Sequence, residues 1–389
     1  MRREVVHCRA VITQGWPRSV AVVLSLPYPA TVGGAERYVD ELACALGRRV
    51  DTSMHYMIGD GRRPAAPRAH DRLHRYRRLP IRESDRLGLS PALVRAALRA
   101  DVVHVNHYGA LTAHALGALG RLTGTPVFVS DHGSNAVALG RRLGLHGLFS
   151  GFLEVSRFAT ADRPPDRTRV IYGGVDTARH TPGRKDTTDP FALFVGRLLP
   201  HKGVDALIDA LPDGRRLVIA GRPDLAGHAA YFELLQRKAA GKRVEFRLDV
   251  HDAELVRLYR SATVAVLPSV AVDVYGHRHQ VPELLGLTLI EAMACGTPGI
   301  ATDIASLPEV ITDGETGSLV APGDPGALRA ALRRWLDDPA AAAEAGRRAR
   351  ADALARFTWD QVAQRCLTAY AELAGCQRKN ARRLTLQHP

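Results

Sequence analysis

The sequence predicts two consecutive α/β domains, each a parallel sheet with helices on both faces. Three observations carry that prediction. Short runs of β-branched and aliphatic residues are apolar throughout, as strands buried on both faces must be. Amphipathic helical stretches separate them, the pattern of strand–helix–strand crossovers. The series then runs twice, on either side of "TARHTPGRKDTTDP" (177–190), a polar segment with two prolines. A chain of 389 residues also exceeds what one ordinary core accommodates.

Residues 1–18 show no periodicity and read as a flexible extension. The run "SVAVVLSL" (19–26) has the apolarity of a secretory leader, but "PYPATVGGAE" follows it in place of a small-residue cleavage site. It is therefore read as the first strand. A helix follows in "AERYVDELACALGRR", then strands in "DVVHVNH" (101–107), "PVFVSDH" (126–132) and "RVIYGGV" (169–175), giving a first domain over 19–180. After a linker at 181–190, strands are expected in "FALFVGR" (191–197), "RLVIAGR" (216–222), "RVEFRL" (243–248), "TVAVLPS" (263–269) and "GIATD" (299–303). "GVDALIDAL" and "DAELVRLYRSA" are helical between them, and the second domain spans 191–357. Beyond 324 the chain is Ala/Arg-rich and helical. Its last helix (358–376) is placed against the first domain, with a basic tail at 377–389. In doubly wound sheets a ligand crevice lies at the carboxyl ends of the strands.

Hydrophobic residues make up 46% and charged residues 24%, the balance of a soluble globular protein. A net charge of +13 suits an anionic ligand, an acidic membrane surface or nucleic acid. Much of the excess lies in "GRRPAAPRAHDRLHRYRRLPIR" (61–82) and "QRKNARR" (377–383). Aromatics are only 6% and do not interleave with these runs, which argues against nucleic acid and leaves weak peripheral membrane contact open. Five cysteines (8, 44, 295, 366, 376) form no CxxC pair and fit reduced thiols in a cytoplasmic protein. No apolar run reaches the roughly 18 residues of a spanning helix.

The motif with most chemistry is "VPELLGLTLIEAMACGTPGI" (281–300), where Glu283 precedes a glycine turn and Glu291 lies about one turn inside a helix. A glycine at the helix entry lets a ligand approach the backbone, and the amides of Gly286, Leu287 and Thr288 form an anion site. Two acidic residues favouring a helix dipole would give the same pattern. In "GRLLPHKG", Arg197 and Lys202 lie in a loop after a strand, where the crevice belongs.

"PELLGLTLIEAMACGTP" resembles the E-x7-E segment of the retaining GT-B glycosyltransferases of family 4 type (glycosyl transferases group 1). Further landmarks stand in that family's order: "GGAERYVDELACAL", "VIYGGVD", "FVGRLLPHKGVDALIDAL", "LVIAG", "AELVRLYRSATVAVLPS" and "LPEVITDGETGSLVAPGD", covering roughly residues 19–375. The resemblance implies two Rossmann-like domains facing a central cleft, and transfer of a hexose-type sugar from a nucleotide-diphosphate sugar with retention of configuration. Residue by residue, it implies that Arg197 and Lys202 hold the donor diphosphate, Glu291 the ribose and Glu283 a sugar hydroxyl. Gly33 and Gly34 would lie against the donor, and His132 in "SDHG" near the sugar's reacting face. Asp131, His107 and Tyr108 are acceptor-side candidates. Neither a metal nor a cofactor is expected, since no D-x-D triplet occurs.

Departures from the family pattern fall at Tyr172–Gly173, where Asn is usual, and at Leu285, where Phe is usual. The segment "VAVDVYGHRHQV" is longer than common, and its Tyr275, His277, Arg278 and His279 are expected to shape donor choice. The acceptor reads as a small molecule or a glycan. A lipid-linked or polysaccharide acceptor, a GT-B epimerase or phosphorylase, and a non-catalytic nucleotide-sugar binder are the alternatives. Donor base and oligomeric state stay open.

Overall fold

The computed structural model describes residues 16–28, 34–58, 73–76, 89–132, 144–186, 188–223 and 225–385. The chain divides into two compact units, residues 1–172 with 359–389, and residues 173–358. The first unit contains β1 (Ser19–Tyr28), α1 (Gly34–Gly47), β2 (Asp51–Ile58), β3 (Leu73–Tyr76), α2 (Pro91–Arg99), β4 (Val102–Asn106), α3 (Leu111–Thr123), β5 (Val127–Ser130), β6 (Gly151–Glu154) and β7 (Thr168–Val170). These strands form one seven-stranded parallel sheet in the order β3-β2-β1-β4-β5-β6-β7. Its centre is apolar on both faces: Val22, Val23, Val103, Val105, Phe128 and Val129 are all buried.

The second unit contains β8 (Phe191–Val195), α4 (Val204–Ala210), β9 (Arg216–Ala220), α5 (Leu225–Ala239), β10 (Val244–Arg247), α6 (Asp252–Ser261), β11 (Val264–Leu267), α7 (Leu287–Ala294), β12 (Gly299–Thr302), β13 (Gly317–Val320), α8 (Pro325–Asp337) and α9 (Pro339–Arg356). Its six-stranded parallel sheet has the order β10-β9-β8-β11-β12-β13. Both orders reverse beside the first strand of the unit, between β1 and β4 and between β8 and β11. That reversal opens a crevice at the carboxyl ends of the strands. Carboxylates cap the late helices: Asp324 and Asp338 accept from the amides of Ala327 and Ala341, each at 2.9 Å, caps worth about 1 kcal/mol apiece.

The chain then returns to the first unit as α10 (Trp359–Thr385), which packs on α1 and β6. Val362, Cys366, Ala369, Tyr370 and Leu373 recur at helical spacing and are buried. Helix α10 runs through the expected tail as far as Thr385.

The division falls between Tyr172 and Gly173, ahead of the boundary expected at 180/181. The expected linker packs on the second unit: the Arg260 guanidinium donates to the carbonyls of Thr181 (2.8 Å) and Arg179 (3.1 Å), and the Asp186 amide to that of Ser261 (3.0 Å). Of the expected extension, residues 1–15 lie outside the described residues; Arg18 is tied down, its amide donating to Asp101 at 2.8 Å. The basic run 61–82 also lies outside the described residues apart from β3.

Candidate active site

In the second unit, two turns deliver opposite charges to the ends of β8 and β11. After β8 the chain passes exposed Arg197 and enters a 3₁₀ turn at Pro200–Lys202, closed by Gly203. Gly203 has φ +67°, and a Cβ there would meet the Pro268 carbonyl at 2.1 Å, so only glycine lets this turn press against the end of β11. The close approach brings Lys202 Nζ within 2.6 Å of Glu283 Oε2, with the two side chains 15% and 13% exposed. Ser269 Oγ donates to the same carboxylate at 3.5 Å, the Leu284 amide to its other oxygen at 3.3 Å, and Ser306 Oγ to the Glu283 carbonyl at 3.3 Å. Glu283 is thus held from three elements, with Lys202 as its counter-ion.

Gly286 follows with φ +81°, where an added Cβ would meet Leu307 Cδ2 at 2.9 Å, and α7 starts at Leu287. The first amides of a helix lack intrahelical acceptors, so those of Leu287 and Thr288 can meet an anion. Glu291, one turn into α7, accepts the Tyr259 hydroxyl at 2.8 Å. Next to Lys202, His201 is pushed down to about 3, first by burial and then by Lys202, His279 and Arg197. It is a neutral ring, which leaves Arg197 and Lys202 as the cations of this turn.

In the first unit, the ends of β4 and β5 carry the histidines. His132 Nε2 lies 2.9 Å from Asn106 Oδ1, while Asn106 Nδ2 donates to the Val23 carbonyl at 3.4 Å. That second bond fixes the amide orientation, so His132 must donate through Nε2. Burial, then His107 and His104, hold His132 well below its ordinary value, so the ring is neutral and Nδ1 is left as an acceptor. The ring sits between Tyr38 (4.7 Å between centroids) and His107 (5.3 Å). His107 adopts φ +76°, a strained conformation for a non-glycine residue. Tyr172, at the departure from the family's usual Asn, is likewise at φ +61°, and its carbonyl accepts the Tyr38 hydroxyl at 2.6 Å.

The acceptor-side candidates fare differently. Tyr108 and His107 are each 2% exposed, and Tyr108 belongs to the core cluster, stacked under the Arg163 guanidinium at 4.5 Å. Neither presents itself to solvent. Asp131 is partly exposed and ion-paired to Arg163 at 3.2 Å; Arg163 also binds buried Glu154 at 2.6 Å. Burial drives Glu154 up to about 7, against the pull of Arg163. Gly34 begins α1, whereas Gly33 lies outside the described residues.

A hydrogen-bond chain lies beneath these residues. Ser130 Oγ donates to the Leu153 carbonyl, so it must accept from His104 Nε2 at 2.8 Å. Neutral His104 then has Nδ1 free to accept, and the Tyr370 hydroxyl of α10 sits 2.7 Å away. The returning helix is thereby coupled to the ends of β4, β5 and β6. Sequence reading missed Tyr38, Asn106, Arg163, Tyr259 and Tyr370. Each is paired at a distance along the chain, Tyr38 with Tyr172, Asn106 with His132, Arg163 with Asp131, Tyr259 with Glu291 and Tyr370 with His104.

Comparison with known proteins places these features in context. Residues 176–352 match the family described as glycosyl transferases group 1, and residues 32–179 match glycosyltransferase family 4. A glycogen synthase of Mycobacterium tuberculosis is 31% identical over 339 residues, spanning 77% of this chain and 78% of its own. A D-inositol 3-phosphate glycosyltransferase of Acidothermus cellulolyticus is 36% identical over 231 residues, 54% of this chain and 48% of its own. Among solved structures, sucrose-phosphate synthase from Thermosynechococcus elongatus superposes with a TM-score of 0.71 at 25% identity, covering 92% of this chain and 99% of its own.

Proposed function

Because the chain belongs to the glycosyl transferases group 1, family 4 type, with the GT-B fold, we propose that it transfers a hexose-type sugar from a nucleotide-diphosphate sugar with retention of configuration. The observation that carries this reading is the Lys202–Glu283 pair at the switch point of the second sheet, beside the glycine-led start of α7. In the reaction, an acceptor hydroxyl forms a bond to the anomeric carbon while the bond from that carbon to the β-phosphate oxygen breaks. Negative charge collects on the departing diphosphate, where Arg197, Lys202 and the amides of Gly286, Leu287 and Thr288 neutralise it. The departing oxygen takes the acceptor's proton from the same face, so no carboxylate serves as nucleophile or base.

The remaining groups orient. Glu283 accepts a donor-sugar hydroxyl, its position fixed by Ser269, Ser306 and Lys202. Glu291, steadied by Tyr259, accepts the ribose hydroxyls. His132, neutral with Nδ1 open, accepts a sugar hydroxyl rather than donating one. No divalent cation is required, since Arg197 and Lys202 supply the charge. The acceptor is a small molecule or a glycan.

The test is release of nucleoside diphosphate from UDP-, GDP-, ADP- and dTDP-sugars in excess EDTA, with and without candidate acceptors. Release that requires the acceptor and survives EDTA is expected. Activity that EDTA abolishes and magnesium or manganese restores would refute the metal-free assignment.

A further inference from the structure

Tyr38 is the only aromatic residue of α1 and is 2% exposed. A buried phenol needs an acceptor. Tyr38 finds one in the Tyr172 carbonyl, at 2.6 Å. Tyr172 is the last residue of the first unit before the chain leaves it. At φ +61° it keeps a conformation that a non-glycine residue holds only where its surroundings fix it. Arg365 of α10 adds a second fixing point, its guanidinium 5.5 Å from the centre of the Tyr172 ring and its Nη1 donating to the Ile171 carbonyl at 3.4 Å. The ring of Tyr38 meets Trp359, the first residue of the unit when the chain returns, edge to face with centroids 5.2 Å apart. Tyr38 is therefore anchored at both points where the first unit is left and re-entered.

The same ring lies 4.7 Å from that of His132, at an angle of 53°. His132 is partly exposed, so a ligand can reach it; buried Tyr38 can touch none. The bond from His132 Nε2 to Asn106 Oδ1 (2.9 Å) fixes one atom of the imidazole but not the tilt of its plane, and a change of tilt swings Nδ1. Among the described residues, two rings limit that tilt. One is Tyr38; the other is His107, at 5.3 Å and 62°, whose amide donates to the Ser130 carbonyl at 2.8 Å. His107 and His104 are also the groups that, after burial, act on the charge of His132. Tyr38 adds no charge, since burial keeps its phenol protonated.

We propose that Tyr38 is a positioning residue for His132: anchored at Tyr172 and Trp359, its ring sets the tilt of the imidazole and so the direction of Nδ1. The proposal rests on the reading that Nδ1 accepts a donor-sugar hydroxyl, and it names the side chain that aims that atom. Aim matters because a group misplaced by about 1 Å can cost about 10²-fold in rate. The phenol hydroxyl and the ring then have separate duties. The hydroxyl holds the ring in place through the Tyr172 carbonyl, and the ring bears on His132. A tyrosine that only filled the core would affect melting and leave the imidazole as it was.

The experiment uses the full chain, isotopically labelled at its histidines, and long-range proton–nitrogen imidazole spectra from about pH 5 to about pH 8, with His132→Gln identifying the signal. In the unsubstituted chain His132 should stay neutral and protonated on Nε2 across that range. Tyr38→Leu opens the packing on the ring, so its midpoint should rise toward the ordinary 6.5 and the single tautomer should be lost. Tyr38→Phe keeps the ring and should restore most of the original spectrum. The melting temperature reports folding, and Tyr38→Met, flexible and without a planar face, carries the same test where Leu does not fold. In turnover, Tyr38→Leu should lower kcat about tenfold or more. It should leave the affinity for UDP, GDP, ADP or dTDP, whichever the unsubstituted chain binds, unchanged, because Arg197 and Lys202 belong to the second unit. Unchanged His132 spectra in both Tyr38→Leu and Tyr38→Met overturn the proposal, as does a shifted spectrum with undiminished kcat. The spectra need no sugar donor, so they separate this failure from that of the donor reading, which is the absence of acceptor-dependent nucleoside diphosphate release by the unsubstituted chain.

Discussion

Replacing Glu283 by Gln separates its two roles, counter-ion to Lys202 and partner of the donor sugar. In the free protein Lys202 Nζ rests 2.6 Å from Glu283 Oε2, with both side chains mostly shielded. A hydrogen bond to a charged group is worth about 1.5–3 kcal/mol and a neutral one about 1, so the substitution frees Lys202 by roughly 0.5–2 kcal/mol. It also removes a negative charge from beside the diphosphate. Free nucleoside diphosphate should therefore bind Glu283→Gln as tightly as the unsubstituted chain or up to about thirtyfold tighter, at 1.4 kcal/mol per factor of ten. The nucleotide sugar, which loses its charged acceptor, should bind about tenfold to a hundredfold more weakly. Calorimetry with the two ligands reads both numbers. If Glu283→Gln weakens both ligands equally, Glu283 acts only through the local fold and the assignment to the sugar fails.

Three further outcomes follow from the same geometry. Arg197→Ala or Lys202→Ala should lower turnover about 10²-fold or more; exposed Arg197 should leave the melting temperature nearly unchanged, Lys202→Ala should lower it by stripping shielded Glu283 of its counter-ion, and full activity in both variants would place the diphosphate elsewhere. Tyr370→Phe leaves buried His104 Nδ1 without its donor and should cost about 1–3 kcal/mol in urea unfolding; a cost near zero would deny the Tyr370–His104–Ser130 chain. Burial holds folded His104 down at about 3, against an ordinary 6.5, so the unfolded chain binds the extra proton. Stability from this group is complete above 6.5 and lost as pH falls toward 3, and His104→Gln should melt lower at neutral pH but decline less on acidification.

How far the chain was legible depended on local pattern. Wholly apolar runs such as "VAVVLSL" and "FALFV" announce buried parallel strands, and β1 and β8 form there. β2, "DTSMHYMI", was not expected because Ser, Thr and His interrupt its apolar pattern, although His55 is buried. β6 and β13 are four residues each, too short for periodicity to register. Helices α2, α3 and α5 also went unread. "RVIYGGV" was read too long: β7 stops at Val170, since Tyr172 takes a left-handed conformation before the chain enters the second unit.

Of the candidate site, the glycine-led turn and both glutamates could be placed from residue order, since the relevant groups lie within one segment. What sequence could not show was pairing across distance. Lys202 and Glu283 meet because Gly203 lets one turn press on Pro268, a contact between segments far apart in the chain. Tyr108, one of the acceptor-side candidates, lies under the Arg163 guanidinium and against core aromatics, surroundings that come from distant segments and are not legible in its own.

The central claim, that the crevice of the second unit binds a nucleoside diphosphate through cationic side chains rather than a metal, is tested most directly by a thermal-shift titration in EDTA. UDP, GDP, ADP and dTDP are added to the unsubstituted chain and to Arg197→Ala, Lys202→Ala and Glu291→Ala. At a hundred times its dissociation constant a ligand stabilises by about 2.7 kcal/mol, enough to move the melting temperature by degrees. At least one diphosphate should raise the melting temperature without metal, and each substitution should shrink that rise. No shift from any of the four, or a shift that survives undiminished in all three variants, would contradict the account.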